Sequence, residues 1–303
     1  PMGGCNDDYT LFFKLVDGLN YPDQSSPFAS TAPEIIDYDE WMHTFAVQHV
    51  INNWDSYGFN RGKNMSMYMP DDGQWQMIMW DLDHSHMTGS ASNNNLFSIN
   101  DSVLRNGFFN YPLFRRAYWR AIGEIAEAME ASKIDPIMDA NYAAFQANGI
   151  YPEDPNTNIK GWVSGRRSWL LGQVAIVDAP FEITSNGGVD YSSGTQIVTI
   201  TGTAQVAVKT MRLNGVEIDV DFTSVTNWEL MLGLSEGDNL LLFEGYDFKG
   251  NLIASDSITV TFTDTAVSPL GQIVINEIMY NTADGVEQGE FVENGFEYNS
   301  GEN

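Results

Sequence analysis

The chain has 303 residues, enough for two or three domains, and its 43% hydrophobic and 13% aromatic content excludes a disordered chain. Its formal net charge of −27, from 41 acidic against 14 basic residues, repels phosphate backbones and argues against nucleic-acid binding. The acidity suits a soluble, extracellular or cation-binding protein. No apolar run reaches the roughly 18 residues that a membrane span needs.

Residues up to about 179 are predicted to be mostly helical. Apolar residues recur at helical spacing in the stretches 33–54 and 111–130, and two further helices are predicted over 134–148 and 158–177. His49 lies on the apolar stripe of the first stretch and is interpreted as a core histidine. The polar segment 88–100 is predicted to be a loop.

Two short strands are predicted between the first helix and that loop. The stretches 64–69 and 74–81 alternate apolar and polar residues, and the letters PDDGQ between them are typical of a turn. The methionines on one face of this hairpin are interpreted as core residues.

After Pro180 the pattern changes to short β-rich runs separated by turn residues every 8–12 positions, which predicts a β-sandwich over 180–265. A linker follows, and residues 272–303 begin another β-unit that the chain does not finish. The predicted fold class is therefore multidomain α+β, with domains at 1–179, 180–265 and 272–303.

Acidic and amide side chains stand on either side of the predicted hairpin. Asp55 follows the first helix, Asn64 precedes the first strand and Asp81 follows the second. In protein kinases an aspartate of the catalytic loop accepts the hydroxyl proton, and an asparagine and a second aspartate bind Mg²⁺. Carboxylate and amide oxygens are the ligands that Mg²⁺ prefers, although the order alone is a weak signal.

The segment from residue 38 to residue 86 resembles the core of the CotH (spore-coat protein H) kinase family. The family patterns N-x-D, N-hydrophobic-x-x-Y and W-D-x-D correspond here to NWD (53–55), NMSMY (64–68) and WDLD (80–83). The resemblance implies an atypical, secreted or surface-associated protein kinase. Asp55 would be the catalytic aspartate, Asn64 and Asp81 would bind the metal, Asp83 would assist it, and Asn60 competes with Asn64 for its role.

This resemblance implies transfer of the γ-phosphoryl group of ATP to a protein hydroxyl, with Mg²⁺ or Mn²⁺ as cofactor. The sequence departs from the pattern at Lys63, where relatives often have histidine. About fifty residues precede Asp55, too few for a kinase N-lobe, so we expect only the C-lobe and leave the activity of this chain open; Lys14 could be a remnant of that lobe.

The later segments resemble modules of exported bacterial proteins. Residues 180–264 are similar to immunoglobulin-like or fibronectin-like modules, and the stretch IVINEIMYN (273–281) is similar to the start of a lamin-tail domain. The chain begins at Pro1 without a signal peptide and both ends look cut, so we expect part of a longer protein located outside the cell or on its surface, acting on a protein substrate.

Other interpretations stay open. One alternative is a non-catalytic adhesion protein whose acidic cluster binds Ca²⁺, and another is a glycan hydrolase using Asp81 and Asp83. His84 and His86 could chelate zinc, but the other two histidines and Cys5 offer few further ligands. The arginines of the helical region are expected to form salt bridges with the abundant carboxylates: Arg115, Arg116, Arg120, Arg166 and Arg167.

Overall fold

The computed structural model describes residues 9–19, 28–59, 62–70, 73–83, 85, 91–97, 101, 103–152 and 155–265, and the backbone of 274–279 and 291–295. The chain divides into a larger unit of residues 1–188, 199–230 and 241–258 and a smaller unit of residues 189–198, 231–240 and 259–303. The domain limits inferred from the sequence remain predictions.

The helices of the larger unit are α1 (Thr10–Leu19), α2 (Phe28–Ile35), α3 (Tyr38–Val50), α4 (Pro112–Ala128), α5 (Ala131–Ala147) and α6 (Asn156–Val177). The helix predicted over 33–54 is divided at Asp37, whose carboxylate accepts a hydrogen bond from the Glu40 amide (3.1 Å) and caps α3. The predictions for α4, α5 and α6 are confirmed. A short π-helical turn (Val103–Gly107), which the sequence does not predict, precedes α4.

The core of this unit forms between α3 and α4. Trp41, Phe45 and Val50 of α3 are fully buried, and α4 contributes Phe114, Tyr118 and Ile122 to the same cluster, with the other buried members on neighbouring elements. Aromatic rings dominate the cluster, which suits a core that must fill space between two crossing helices.

A β-hairpin packs one of its faces on this core. Its strands β1 (Met65–Tyr68) and β2 (Gln76–Met79) pair antiparallel, with Met65 opposite Met79 and Met67 opposite Met77. The four methionines contact the core, which confirms the sequence interpretation. The other face carries Tyr68, Ile78 and Trp80, each more than half exposed.

The β-rich region contains strands β3 (Glu182–Ile183), β4 (Tyr191–Ser193), β5 (Ile197–Thr203), β6 (Thr210–Leu213), β7 (Val216–Ile218), β8 (Asp221–Phe222), β9 (Asn227–Gly233), β10 (Gly237–Tyr246) and β11 (Leu252–Phe262). They form sheets with the strand orders β4-β11-β10-β6-β7 and β3-β5-β9-β8. Helices and a hairpin followed by sandwich-like sheets confirm the predicted fold class.

Within the larger unit, Arg116 joins α4 to the strand-rich segment 204–225. Its guanidinium donates to the main-chain oxygens of Val225 (2.7 Å) and Val208 (2.9 Å), and also of Ala204 and Gln205. Arg116 is 2% exposed, and burial lowers its pKa to about 9. The expected salt bridge is therefore wrong for this residue: a buried guanidinium with five donors is satisfied here by carbonyl groups instead.

In the smaller unit, β4 pairs in parallel with the last residues of β11, with Tyr191 opposite Val260. The backbones of β12 (Val274–Met279) and β13 (Phe291–Gly295) pair antiparallel. The lamin-tail start remains a prediction. Among the described residues, no helix has the length and apolarity that a membrane crossing needs.

Candidate functional site

The candidate site begins where α3 ends. After the last turn of the helix, Asn52 adopts a left-handed backbone (φ 58°), a conformation that asparagine tolerates better than most residues. Asn53 is fully buried, and its side-chain Nδ2 donates to Gln48 Oε1 (2.8 Å) while its carbonyl accepts from the Ser56 hydroxyl (2.8 Å). These bonds fix the direction in which the chain leaves the helix and place Asp55 in a buried position.

His49 holds the next part of the loop from inside the core. Its Nε2 lies 3.0 Å from the Gly58 carbonyl and its Nδ1 lies 2.8 Å from the Tyr118 hydroxyl. Because a carbonyl can only accept, Nε2 carries the proton and Nδ1 accepts from Tyr118. Burial lowers the pKa of His49 to about 4, so the ring is neutral at physiological pH. The interpretation of His49 as a satisfied core histidine is confirmed.

Gly58 is required at this contact. Its φ of +86° lies in the left-handed region, and a Cβ atom would come within 2.5 Å of the Phe45 ring. A residue with a side chain would therefore meet both backbone strain and a clash with the core. The loop after Asp55 therefore packs closely against α3.

Arg166 of α6 secures the end of α3 from another side. Its guanidinium donates to the carbonyls of His49 (2.9 Å) and Val50 (3.0 Å), which the helix leaves without intrahelical partners, and to Ser92 (3.0 Å) and Asn94 (2.7 Å). The side chain is completely buried. Burial lowers its pKa to about 10, so it is still charged at neutral pH.

Of the other arginines, one forms the expected salt bridge and two make other contacts. Arg120 pairs with Asp39, as predicted. Arg167 donates to the Ala126 carbonyl (3.0 Å) and Arg115 lies over the Phe97 ring at 5.3 Å, so for these two and for Arg166 the contacts found are not the expected salt bridges. The guanidinium groups serve mainly to satisfy helix ends and loops in the interior.

Asp55, Lys63 and Asn64 meet at the mouth of the loop. Lys63 Nζ lies 2.6 Å from Asp55 Oδ2, and Asn64 Nδ2 donates to the Asp55 carbonyl at 2.8 Å and lies 3.5 Å from Oδ2. The side chain of Asp55 is 7% exposed and that of Lys63 is 54% exposed. Asn64 also has a left-handed backbone (φ 60°). The structure therefore brings together two of the predicted site residues and adds Lys63, whose role sequence reasoning did not assign.

Asp81 and Asp83 lie at the same end of the hairpin as Asn64. The Trp80 amide donates to the Asn64 carbonyl (3.2 Å), so Asp81 leaves β2 directly beside the residue that enters β1. Asp81 has a left-handed backbone (φ 59°), and both aspartates are exposed. Asn60, His84 and His86 lie outside the described residues, as does Cys5.

The donor groups suit a hard divalent cation in their chemistry. Asn64 uses its amide nitrogen toward Asp55, which leaves the amide oxygen as the atom that could meet a cation, and Asp55 and Asp81 supply carboxylates. Within the described part of the chain, no three His, Cys, Asp or Glu side chains converge closely enough to hold a metal. An Asn–Asp–Asp set completed by phosphate oxygens remains compatible with Mg²⁺.

Three of the five non-glycine residues with positive φ in the described chain flank this site: Asn52, Asn64 and Asp81. Left-handed backbone away from glycine is uncommon and tends to occur at functional sites. Signals for Lys63 and Arg166 were present in the sequence: a basic residue directly before the motif asparagine, and a pair of adjacent arginines in the middle of a predicted helix. Neither signal indicated which groups the basic side chain would contact.

Comparison with known proteins agrees with the family resemblance. The profile of a family described as CotH kinase protein matches residues 4–164, more than half of the 303 residues. No curated protein matches the chain. A solved structure described as fibronectin(III)-like modules of Clostridium thermocellum CbhA is 18% identical, covers 29% of this chain and 100% of its own, and has a TM-score of 0.23, too low to carry any argument about the fold. On the family match, the chain belongs to the CotH kinase family.

Proposed function

We propose that the chain carries the catalytic-loop half of an atypical protein kinase that transfers the γ-phosphoryl group of ATP to a protein hydroxyl. Membership of a kinase-like family supports ATP and a divalent metal in general terms. The observation that carries the proposal is the buried Asp55 carboxylate, held by Lys63 and Asn64 at the end of the hairpin that leads to Asp81.

Asp55 would orient the acceptor hydroxyl and accept its proton. Its carboxylate is fixed from two sides, by the Lys63 ammonium and by the Asn64 amide, so it needs little rearrangement when a substrate arrives. Positioning of this kind is a major part of catalysis of phosphoryl transfer, because the protein does little covalent chemistry there. Lys63, half exposed, would add positive charge beside the transferring group.

Asn64, Asp81 and Asp83 would hold Mg²⁺ or Mn²⁺, which supplies charge neutralisation on the phosphates when bound. Asn64 is buried while Asp81 and Asp83 are exposed, so the metal would bind where the interior meets solvent. Asn60 is a further candidate for contact with the nucleotide. The exposed hairpin face with Tyr68, Ile78 and Trp80 would give the nucleoside an apolar surface next to these ligands.

The decisive experiment measures incorporation of ³²P from [γ-³²P]ATP by the protein as its gene encodes it, with Mg²⁺ and then with Mn²⁺. We expect Asp55→Asn and Asp81→Asn to lower incorporation by about a hundredfold or more, the size of effect expected for general-base and metal contacts. Lys63→Met should lower it by about tenfold. The exposed Asp264→Asn serves as the matched control and should leave the rate unchanged.

Two outcomes would remove the kinase proposal. One is full activity in both the Asp55 and Asp81 variants. The other is tight Ca²⁺ binding with no nucleotide-dependent rise in melting temperature, which would favour a non-catalytic adhesion protein with a structural calcium site.

We also propose that the protein is exported by a bacterium and acts at or beyond the cell surface on a protein substrate. Support comes from the net charge of −27 and from the resemblance of the later segments to modules of exported proteins. Protease added to intact cells should digest the protein. Protection until the cells are lysed would overturn this location.

A further inference from the structure

A cleft of about 670 Å³ lies in the larger unit, with Leu82 between the site residues Asp81 and Asp83 in its wall, and is not lined by Asp55, Lys63 or Asn64. One wall comes from α3 and α4, another from Met79 and Leu82 at the exit of β2, and a third from Lys209 and Phe248. This volume lies within the range of small-molecule sites, which are typically apolar clefts with a few placed polar groups.

The charged groups of the cleft do not balance. Four carboxylates face two full cations, a difference of two negative charges: Asp37, Asp39, Glu40 and Glu124 against Arg120 and Lys209. His43 also lines the cleft, and burial lowers its pKa, so it adds no full charge at neutral pH. The cleft is therefore electrostatically suited to a cation.

Three of the carboxylates already have strong partners. Asp37 caps α3, and Glu40 accepts hydrogen bonds from the Met77 amide (2.9 Å) and the Thr44 hydroxyl (2.7 Å). Asp39 pairs with Arg120 and with Lys209 Nζ, the latter at 3.0 Å. These groups build the walls of the cleft and are not free to rearrange around a ligand.

Glu124 differs from the other three. Its side chain is only 16% exposed, and it lies 3.6 Å from the neutral ring of His43, a long contact. Burial raises the pKa of Glu124, which means that its charge is poorly solvated where it sits. A partly buried carboxylate of this kind, with only a long contact to a neutral ring, gains most from an incoming positive group.

We propose that this cleft binds an organic cation, a primary ammonium or guanidinium group with an apolar body, and that Glu124 receives the charged end. The apolar body would lie against Phe248 and Leu82, which are 49% and 48% exposed. Gln48, 2% exposed, lines the cleft with its amide group held by Asn53. A bare metal ion would leave these apolar walls and most of the volume unused.

The test uses the whole chain and calorimetric titration with two probes of equal size, phenethylamine and the neutral 2-phenylethanol. We expect phenethylamine to bind at least about tenfold more tightly, because only it offers a charge-assisted hydrogen bond. Glu124→Gln should weaken binding of the amine by about tenfold or more. Glu229→Gln, at an exposed position that neither lines the cleft nor acts on Glu124, should not change it.

A pH series adds an independent readout. The groups facing Glu124 are Asp39, Arg120, Lys209, His43 and Glu127. Affinity for the amine should fall as the pH drops through the raised pKa of Glu124, because a protonated carboxyl loses its attraction for a cation. In Glu124→Gln this dependence should weaken, and what is left should come from Glu40, the other cleft carboxylate whose pKa burial raises.

The natural source of the cation can be a free amine or a basic side chain of a protein, and N-acetyl-lysinamide alongside phenethylamine distinguishes the two by relative affinity. If Glu124→Gln fails to fold, Phe248→Ser tests the apolar contact at a half-exposed position. The proposal is overturned if neither amine binds, or if the amine binds the wild type, Glu124→Gln and Phe248→Ser equally well. None of these measurements depends on kinase activity.

Discussion

The two halves of the candidate site are held in opposite ways. Asp55 and Asn64 are buried and bonded to each other, and the loop that carries them is fixed from the core by His49, Gly58 and Arg166. Asp81 and Asp83 are exposed at the end of the hairpin.

Because of this difference, substitutions in the buried half should mainly affect stability, and substitutions in the exposed half should mainly affect ligand binding. Groups that the core fixes are ready for chemistry without a ligand, and their removal should cost folding free energy. Exposed acidic groups repel one another in water and are stabilised when a cation arrives, so their removal should affect ligand binding with little effect on folding. Four variants test this division, in descending order of expected effect on stability.

Arg166→Met should give the largest loss of stability. Four carbonyl groups, from His49, Val50, Ser92 and Asn94, lose the donor that this buried side chain supplies, and the His49 carbonyl keeps only the Asn52 amide (3.3 Å). Leaving buried acceptors without partners predicts a decrease of about 3 kcal/mol or more in the free energy of unfolding, measured by urea denaturation. Arg105→Met, at an exposed position, should change it by less than about 0.5 kcal/mol. Similar losses in both variants would contradict the anchoring role.

His49 should make stability depend on pH. Its folded-state pKa of about 4 lies below the ordinary histidine value of 6.5, so between these values the unfolded chain binds more protons. The stability contributed by the neutral ring is fully present above pH 6.5 and is lost as the pH falls toward 4, by about 3 kcal/mol in all. The difference between wild type and His49→Gln across this window isolates the effect, because the raised pKa values of Glu40 and Glu124 act equally in both proteins. An identical pH profile in the two proteins would contradict it.

Gly58→Ala should destabilise the loop after Asp55 by about 1–3 kcal/mol, through its positive φ and the clash with Phe45. Gly62→Ala is the matched control, since a Cβ atom there meets nothing within 4 Å. Thermal unfolding of both variants gives the comparison. A loss of stability in Gly62→Ala as large as in Gly58→Ala would refute the packing argument.

For the buried half of the site, the sequence predicted the secondary-structure elements better than the contacts that fix the loop of Asp55. The helix before Asp55, the hairpin and the core role of His49 follow from periodicity and turn chemistry, which act over a few residues. Arg166 lies 111 residues after Asp55, and its partners are main-chain carbonyls that any residue possesses. No pattern of side chains records such a contact, and for the same reason the prediction of salt bridges failed for Arg116, Arg166 and Arg167, which bind main-chain carbonyls. The split of the first helix was readable in principle, since Asp37 with Glu40 three residues later is a capping signal.

Substitutions in the exposed half should have the smallest effect on stability. They distinguish most clearly between a role in folding and a role in ligand binding. Asp81→Asn should change the free energy of unfolding by less than about 0.5 kcal/mol in the absence of ligand, because the side chain is exposed and asparagine tolerates the left-handed backbone (φ 59°) equally well. The same substitution should abolish the rise in melting temperature that the proposed function predicts for the wild type with Mg²⁺ and ATP, since it removes a proposed carboxylate ligand. Asp83→Asn should reduce that rise less, because its predicted role is only to assist the metal. If Asp81→Asn destabilised the free protein as much as Gly58→Ala does, the exposed aspartate would belong to the folded scaffold, and the division between a preorganised half and a ligand-dependent half would be wrong.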